Sequence, residues 1–328
     1  MRNALRLLIF SLLLVAFLPL FMAGMVGFMV RLKTRNRGIT ATAYEPLFNR
    51  MLFHHAGTRD DRAAVKLAAH LPALSPTVAW LMIGTMGLAA RLSGYQGSIL
   101  SYPGARPSSM ISVMVHRTAF FDEALASAVH STGPHPAQQV VFLGAGWDTR
   151  AYGALRDRPV RVFEVDTPAT QRAKRQALDR ADIDASHVTF VETDFGQTSW
   201  FDVLLGRGFD PALPTFILWE GVTMYLDEKT VQTTLRTVSG LAVGSRIAFD
   251  TFSLEFFSGF LGRYLHLMVE GFYGESWQFF MSTRAPARKQ ASDFIASQGL
   301  TLAAYEPMGE ERGKTVPVGG FTLAERSG

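Results

Sequence analysis

The 328-residue chain contains no cysteine. Disulfides, zinc–thiolate sites and cysteine nucleophiles are thereby excluded. Charge is also sparse, at 18% of residues, while 48% are hydrophobic and the mean hydropathy is +0.13. The formal net charge of +4 is small for this length, and the basic residues gather near the N-terminus. That pattern reads as a membrane-topology signal, and no nucleic-acid partner is expected. No G-x-S-x-G elbow is present, so serine hydrolysis of that type is not indicated. The eight histidines form no set with carboxylates at ligand spacing, and His54-His55 is an isolated pair. No metal site is expected. Internal repeats and low-complexity segments are absent.

What is present first is one long apolar run. Leu7 to Val30 carries no charge over 24 residues. At about 1.5 Å per residue it is long enough for a hydrocarbon core of about 30 Å. It exceeds the apolar core of a cleaved signal peptide and is not closed by an A-x-A-like site. Arg2 and Arg6 precede it; Arg31, Lys33, Arg35 and Arg37 follow it. The greater positive charge after the span predicts a single-pass membrane anchor with the remainder cytoplasmic. A second uncharged stretch, Leu71 to Ala90, contains Pro72, Pro76 and Gly84. A second span would strand the basic loop between Arg31 and His70 on the wrong side, so this stretch is predicted as a buried or membrane-grazing helix.

After residue 116 the pattern alternates between strands and helices. Strands are expected at 139–143, 160–165, 188–191, 215–219 and 246–251, and helices at 167–180, 227–241 and 291–298. Residues 300–305 and 316–323 are expected to close the sheet as an antiparallel pair. Such alternation predicts an α/β fold with an open, mostly parallel, doubly wound sheet. Ligands bind beyond the carboxyl ends of strands in such sheets. Gly144, Asp166, Asp194 and Glu220 all fall there.

Gly144-Ala145-Gly146-Trp147-Asp148-Thr149 follows the first of these strands. Two glycines allow close backbone approach. A dinucleotide fingerprint wants a third small residue where Thr149 stands. A bulky, acidic turn is poorly suited to a pyrophosphate and better suited to a cofactor without phosphate, such as S-adenosylmethionine. Asp166, 20 residues beyond Gly146, is placed to accept ribose hydroxyls, which alone does not separate that cofactor from NAD. Two alternatives therefore stay open at this point. One is an NAD(P)-dependent oxidoreductase on a similar sheet. The other is a non-catalytic membrane-anchored protein with a nucleotide-binding fold.

The stretches HRTAFFDEAL (116–125), QVVFLGAGWDTRAY (139–152), VFEVDTPATQRAKRQAL (162–178), VTFVETDF (188–195) and LWEGVTMYL (218–226) resemble the leucine carboxyl methyltransferase family, in particular its bacterial S-adenosylmethionine-dependent O-methyltransferase branch. GESWQF at 274–279 is similar to a later family segment. The resemblance runs from about Arg117 to Arg326. It implies a Rossmann-like class I methyltransferase domain at 117–328 with a seven-stranded sheet. A membrane anchor at 1–38 and a helical cap at 39–116 would precede it. It further implies that Arg117 binds the methionine carboxylate of S-adenosylmethionine and that Gly144 and Gly146 line the approach to that moiety. Asp166 would take the ribose hydroxyls, Asp194 the adenine amino group with Phe195 beside the ring, and Glu220 the methionine ammonium. The catalytic residue is not identified. His116, next to Arg117, is the one candidate beside it and is expected to be structural. The absence of a general base favours an acceptor that is a carboxylate or an acidic hydroxyl of a small, membrane-partitioned molecule.

Overall fold

A computed structural model describes residues 2–36, 38–104, 112–130, 135–195, 199–310 and 316–328. Arg37, counted above among the charges flanking the apolar run, lies outside them, as do residues 105–111 of the expected cap. In chain order the elements are α1 (Arg2–Arg35), α2 (Tyr44–Ala56), α3 (Arg62–Ala68), α4 (Pro76–Ala79), α5 (Thr85–Ser93) and α6 (Val113–Val129), followed by β1 (Gln139–Leu143), β2 (Arg161–Asp166), α7 (Pro168–Arg180) and β3 (Val188–Glu192). Then come α8 (Trp200–Leu205), β4 (Thr215–Trp219), α9 (Glu228–Ser239), β5 (Arg246–Ser253), α10 (Leu254–Ser258), α11 (Phe260–Tyr273), β6 (Phe280–Met281), α12 (Ala287–Ser297), β7 (Thr301–Met308) and β8 (Gly319–Glu325).

These elements form two compact units. The first comprises 1–105, 146–157 and 169–186; the second comprises 106–145, 158–168 and 187–328. The first unit is helical. Its α1 is a 34-residue helix containing Pro19, with Lys33 and Arg35 in the last turn, where cations favour the helix dipole. Among the described residues it is the one helix long and apolar enough to cross a membrane. The stretch 71–90 is not a second such helix. Ser75 caps α4 by accepting from the Val78 N–H, a π-helical stretch Trp80–Gly84 follows, and α5 ends at Gly94 in the left-handed region. These pieces pack along α1. A Cβ on Gly24 would stand 2.9 Å from Leu81 Cβ and 3.0 Å from the Met82 backbone nitrogen, so only glycine permits this approach. Phe10 stacks on Tyr95 with ring centroids 5.0 Å apart.

The second unit is built on one sheet. Its order is β3-β2-β1-β4-β5-β8-β7, wound outward from β1 in both directions. Strands β1 to β5 are parallel, while β8 lies antiparallel between β5 and β7. The apolar runs QVVFL and TFILW are buried throughout, as central parallel strands require. Alternate side chains Val141, Leu143, Phe163, Val165, Ile217, Trp219, Ile247 and Phe249 form the core on one face, with Trp200 of α8 and Ile295 of α12. Helix α9 joins them through Val231, Leu235 and Val238, an i, i+4, i+7 stripe started by the Asp227 cap. Helix α6 serves the other face, where Asp250 of β5 points.

The expected sheet of seven strands is corrected to eight. β4 ends at Trp219, opposite Phe249 of β5, but β5 continues to Ser253 rather than stopping at 251. Its other edge is held by β8 as far as Phe252. The backbone groups left open past the end of β4 are taken by Phe280 and Met281, which pair parallel with Phe252 and Ser253 as β6.

Candidate functional site

At the topological switch point of this sheet, β1 is flanked by β2 and β4. Gly144, the first residue after β1, has φ +74°, and the Gly144 and Ala145 N–H groups both donate to the Val165 carbonyl, at 2.8 and 3.0 Å. A Cβ on Gly144 would meet Val222 Cγ2 at 2.4 Å. Glycine is therefore demanded here twice over, by the backbone angle and by the approach of the turn after β4.

Asp166 closes β2, half-buried, with Oδ1 accepting from the Thr167 N–H at 2.7 Å. Its carbonyl accepts from Thr193 N–H at 2.9 Å, which ties the end of β2 to the end of β3. Just past that tie stand Asp194, exposed, and Phe195, half-buried against the core cluster. The ends of β2 and β3 thus present two carboxylates and an aromatic ring on neighbouring strands.

Arg117 lies on α6 with its side chain only 8% exposed. Its Nε is 3.4 Å from Glu220 Oε1, and its Nη2 is 3.1 Å from Asp250 Oδ2. Glu220 follows β4 and is nearly buried, at 7%. The Gly221 N–H donates to Asp250 Oδ1 at 2.7 Å, and the Thr223 hydroxyl donates to the Asp250 carbonyl. Burial pushes the Asp250 carboxyl up from its ordinary value, against the opposing pull of Arg117 and the Gly221 N–H. Gly221 has φ +72°, and a Cβ there would stand 2.3 Å from Arg117 Nη2. Arg117 can lie across this turn only because residue 221 has no side chain.

The expected residues Arg117, Gly144, Asp166, Asp194, Phe195 and Glu220 all belong to the second unit, around the carboxyl ends of β1 to β4. Gly146 belongs to the first unit, with φ +41°. The residues after it are also committed there. Trp147 is buried, with its ring 5.5 Å from that of Tyr44. Asp148 pairs with Arg50 at 3.0 Å and with Arg150 at 2.5 Å, and Thr149 donates to both Asp61 carboxylate oxygens. Burial alone would raise the Asp148 carboxyl. Arg150 and Arg50, with the Arg150 N–H and Lys174, instead hold it well below the usual carboxylate range. The acid that makes this turn look hostile to a pyrophosphate is therefore consumed in a buried ion-pair network.

His116 sits one residue before Arg117, about 100° round the helix, and is directed elsewhere. Its Nε2 pairs with Glu306 of β7, and its ring meets Phe321 edge-on with centroids 5.0 Å apart. Sequence reasoning missed Asp250 and Gly221. A charged residue inside the apolar run RIAFDTF is a signal for the first, because an acid is rarely buried in a central strand without a partner. For the second the signal is a glycine directly after a strand-end acid.

The donor set fits an α-amino acid zwitterion. The guanidinium matches a carboxylate, the Glu220 carboxylate matches an ammonium, and the two stand side by side. Fold and site define an α/β protein whose doubly wound sheet gathers these residues at its switch point. Residues 89–239 match the family model described as leucine carboxyl methyltransferase. The match begins upstream of Arg117 and ends at the last residue of α9. A proposed S-adenosyl-L-methionine-dependent methyltransferase from Streptomyces avermitilis is 36% identical over 153 residues, which is 43% of this chain and 52% of that protein. Another from Mycolicibacterium vanbaalenii is 31% identical over 197 residues, covering 60% of this chain and 57% of that one. The chain spans about half the length of the curated relatives it matches. A solved structure of a proposed methyltransferase from Thermobifida fusca superposes with a TM-score of 0.48 at 13% identity, over 85% of this chain and 94% of that one.

Proposed function

We propose that the chain transfers a methyl group from S-adenosylmethionine to an oxygen of a small, lipophilic acceptor, a carboxylate or an acidic hydroxyl, from a membrane-anchored position with the sheet unit cytoplasmic. The observation that carries this reading is the buried Arg117–Glu220 pair beside the Gly144 turn. It supplies one cation and one anion at adjacent positions for an amino acid tail. S-adenosylmethionine supplies the methyl group on a sulfonium leaving group, so the acceptor oxygen forms its bond to the methyl carbon as the S–CH3 bond breaks and its electrons stay on sulfur. The chain's own part is to bind and orient. Arg117 takes the carboxylate, Glu220 the ammonium, Asp166 the ribose hydroxyls, and Asp194 with Phe195 the adenine. A carboxylate acceptor is already ionised at neutral pH and needs no base. Of the histidines, His116 is closest in sequence to Arg117, and it is engaged with Glu306. Both facts favour an acceptor that arrives without a proton to lose.

The test is calorimetric titration of full-length, detergent-solubilised protein with S-adenosylmethionine. Wild type binds, while Asp166→Ala and Arg117→Lys each lose at least about tenfold in affinity, or about 1.4 kcal/mol. Lysine keeps the charge of Arg117 but not the planar fork that reaches two carboxylates at once. Binding of NAD in place of S-adenosylmethionine by a folded wild type would overturn the proposal. Radiolabelled methyl transfer to a series of fatty acids and phenols then identifies the acceptor class.

A further inference from the structure

Helices α10 and α11 of the second unit carry large apolar side chains that nothing in the unit covers. A Cβ on Gly262 would stand 2.3 Å from the Phe256 carbonyl oxygen, so α11 is pressed against the α10 backbone at that point. With about 100° between successive residues, Gly262 shares its face with the half-buried Leu265 and Val269. The opposite face carries Phe260, Leu261, Tyr264, Leu267 and Met268, all exposed, Phe260 to 91% and Leu267 to 67%. These five fall within an arc of about 120° that contains no charged residue. Arg263 and Glu270 stand side by side at one border of the arc. Leu254 adds a further exposed apolar side chain from α10. A helix facing water turns its polar side outward. This one turns its apolar side outward, which marks a surface made to be covered.

We infer that α11 lies in the interfacial layer of a lipid bilayer, with Phe260, Leu261, Tyr264, Leu267 and Met268 among the upper acyl chains and Arg263 at the head groups. The occupant follows from the same chain. Helix α1 is long and apolar enough to enter a bilayer, and a helix so inserted keeps every other surface of the chain at high effective concentration of lipid. Aromatic and aliphatic side chains on one face, with an arginine at its edge, form the pattern of helices that lie in the plane of the interface. The inference rests on the membrane part of the proposed function. It adds that the sheet unit itself touches lipid, through the segment that follows β5 at the carboxyl edge of the sheet. A lipophilic acceptor would then reach that edge without crossing water.

Because the chain has no cysteine, single cysteines can be placed and labelled at will. Full-length protein in vesicles of phosphatidylcholine and phosphatidylglycerol would carry an environment-sensitive dye at Leu267→Cys on α11. Parallel samples carry it at Leu12→Cys on α1 and at the exposed Lys229→Cys on α9. The expected result is a blue shift at 267 and at 12, with loss of emission at both when spin-labelled lipid is included, and neither change at 229. Quenching at 12 without quenching at 267 overturns the inference and leaves the anchor standing. Quenching at 267 without quenching at 12 supports lipid contact by α11 and removes the anchor. A blue shift at 267 that lipid spin labels do not quench, and that fades on dilution, means a second copy of the chain covers the face and overturns the inference. Equal quenching at 229 and 267 means indiscriminate adsorption and overturns it as well.

Discussion

Gly221 shows how one missing side chain sets the position of a charge. Its φ of +72° favours glycine, and the space a Cβ would need is filled by the Arg117 guanidinium. In Gly221→Ala the backbone strain costs about 1–2 kcal/mol. The clash is with the far end of a flexible side chain, so Arg117 is displaced rather than the fold lost. The expected outcome is a modest fall in stability with roughly a tenfold fall in S-adenosylmethionine affinity. Gly57→Ala is the control. Gly57 has φ +78°, and a Cβ added there would meet nothing within 4 Å, so it should lose similar stability and no affinity. Equal affinity for wild type and Gly221→Ala, measured by calorimetry, would separate Arg117 from cofactor binding. At this scale the sequence was only partly legible. Arg117 and Glu220 could be named from their motifs, but the pairing of Arg117 with both Glu220 and Asp250 could not, because it joins a helix and two strand ends far apart in the chain.

Among elements, legibility followed periodicity. β1 and β4 lie where their apolar runs end, and α7 begins at the proline that opens its first turn. α10, α11 and β6 were not foreseen. The segment 252–280 is crowded with aromatic residues and has neither a period of two nor a clean polar face, so nothing in it separates helix from strand. The packing of α1 was equally illegible, since a uniform apolar run does not say which face meets a neighbour. The structure picks out Gly24. In Gly24→Val the new side chain must push against the Met82 backbone, which cannot give, and an overpacked contact of this kind costs about 1–3 kcal/mol. Gly27→Val meets only Val78 Cγ2, at 3.0 Å, the end of a side chain that can turn aside. Thermal unfolding in detergent should therefore rank Gly24→Val well below Gly27→Val. The reverse order would mean that α1 does not pack on residues 80–84 through Gly24.

Across the whole molecule, two buried aspartates pull in opposite directions, one in each unit. Asp148 of the first unit is held below the ordinary aspartate value of 3.8, and Asp250 of the second is raised above it. Stability changes with pH in proportion to the protons bound by the unfolded state minus those bound by the native state. Above 3.8 and up to its raised folded value, Asp250 binds its proton more tightly when native. The stability it contributes is present below 3.8 and is lost as pH rises through that folded value. Below 3.8 the unfolded chain binds a proton at Asp148 that the native chain resists. The stability Asp148 contributes is present above 3.8 and is lost as pH falls toward its folded value. Acidification from neutral pH should thus first strengthen the second unit and only then weaken the first. Hydrogen exchange, read peptide by peptide and corrected for intrinsic rates, resolves the two. Protection in β4 and β5 should rise on the way down to 3.8, and protection in α2 and the 147–152 turn should fall below it. Asp250→Asn should abolish the first change, because asparagine keeps an oxygen for the Gly221 N–H and has nothing to titrate. Asp148→Asn should abolish the second while destabilising the first unit by about 3–5 kcal/mol at neutral pH, a cost that shrinks on acidification, since Arg50 and Arg150 are then buried without their shared anion. If both units instead lost protection together and in the same direction, the opposed roles assigned to these two carboxylates would be wrong.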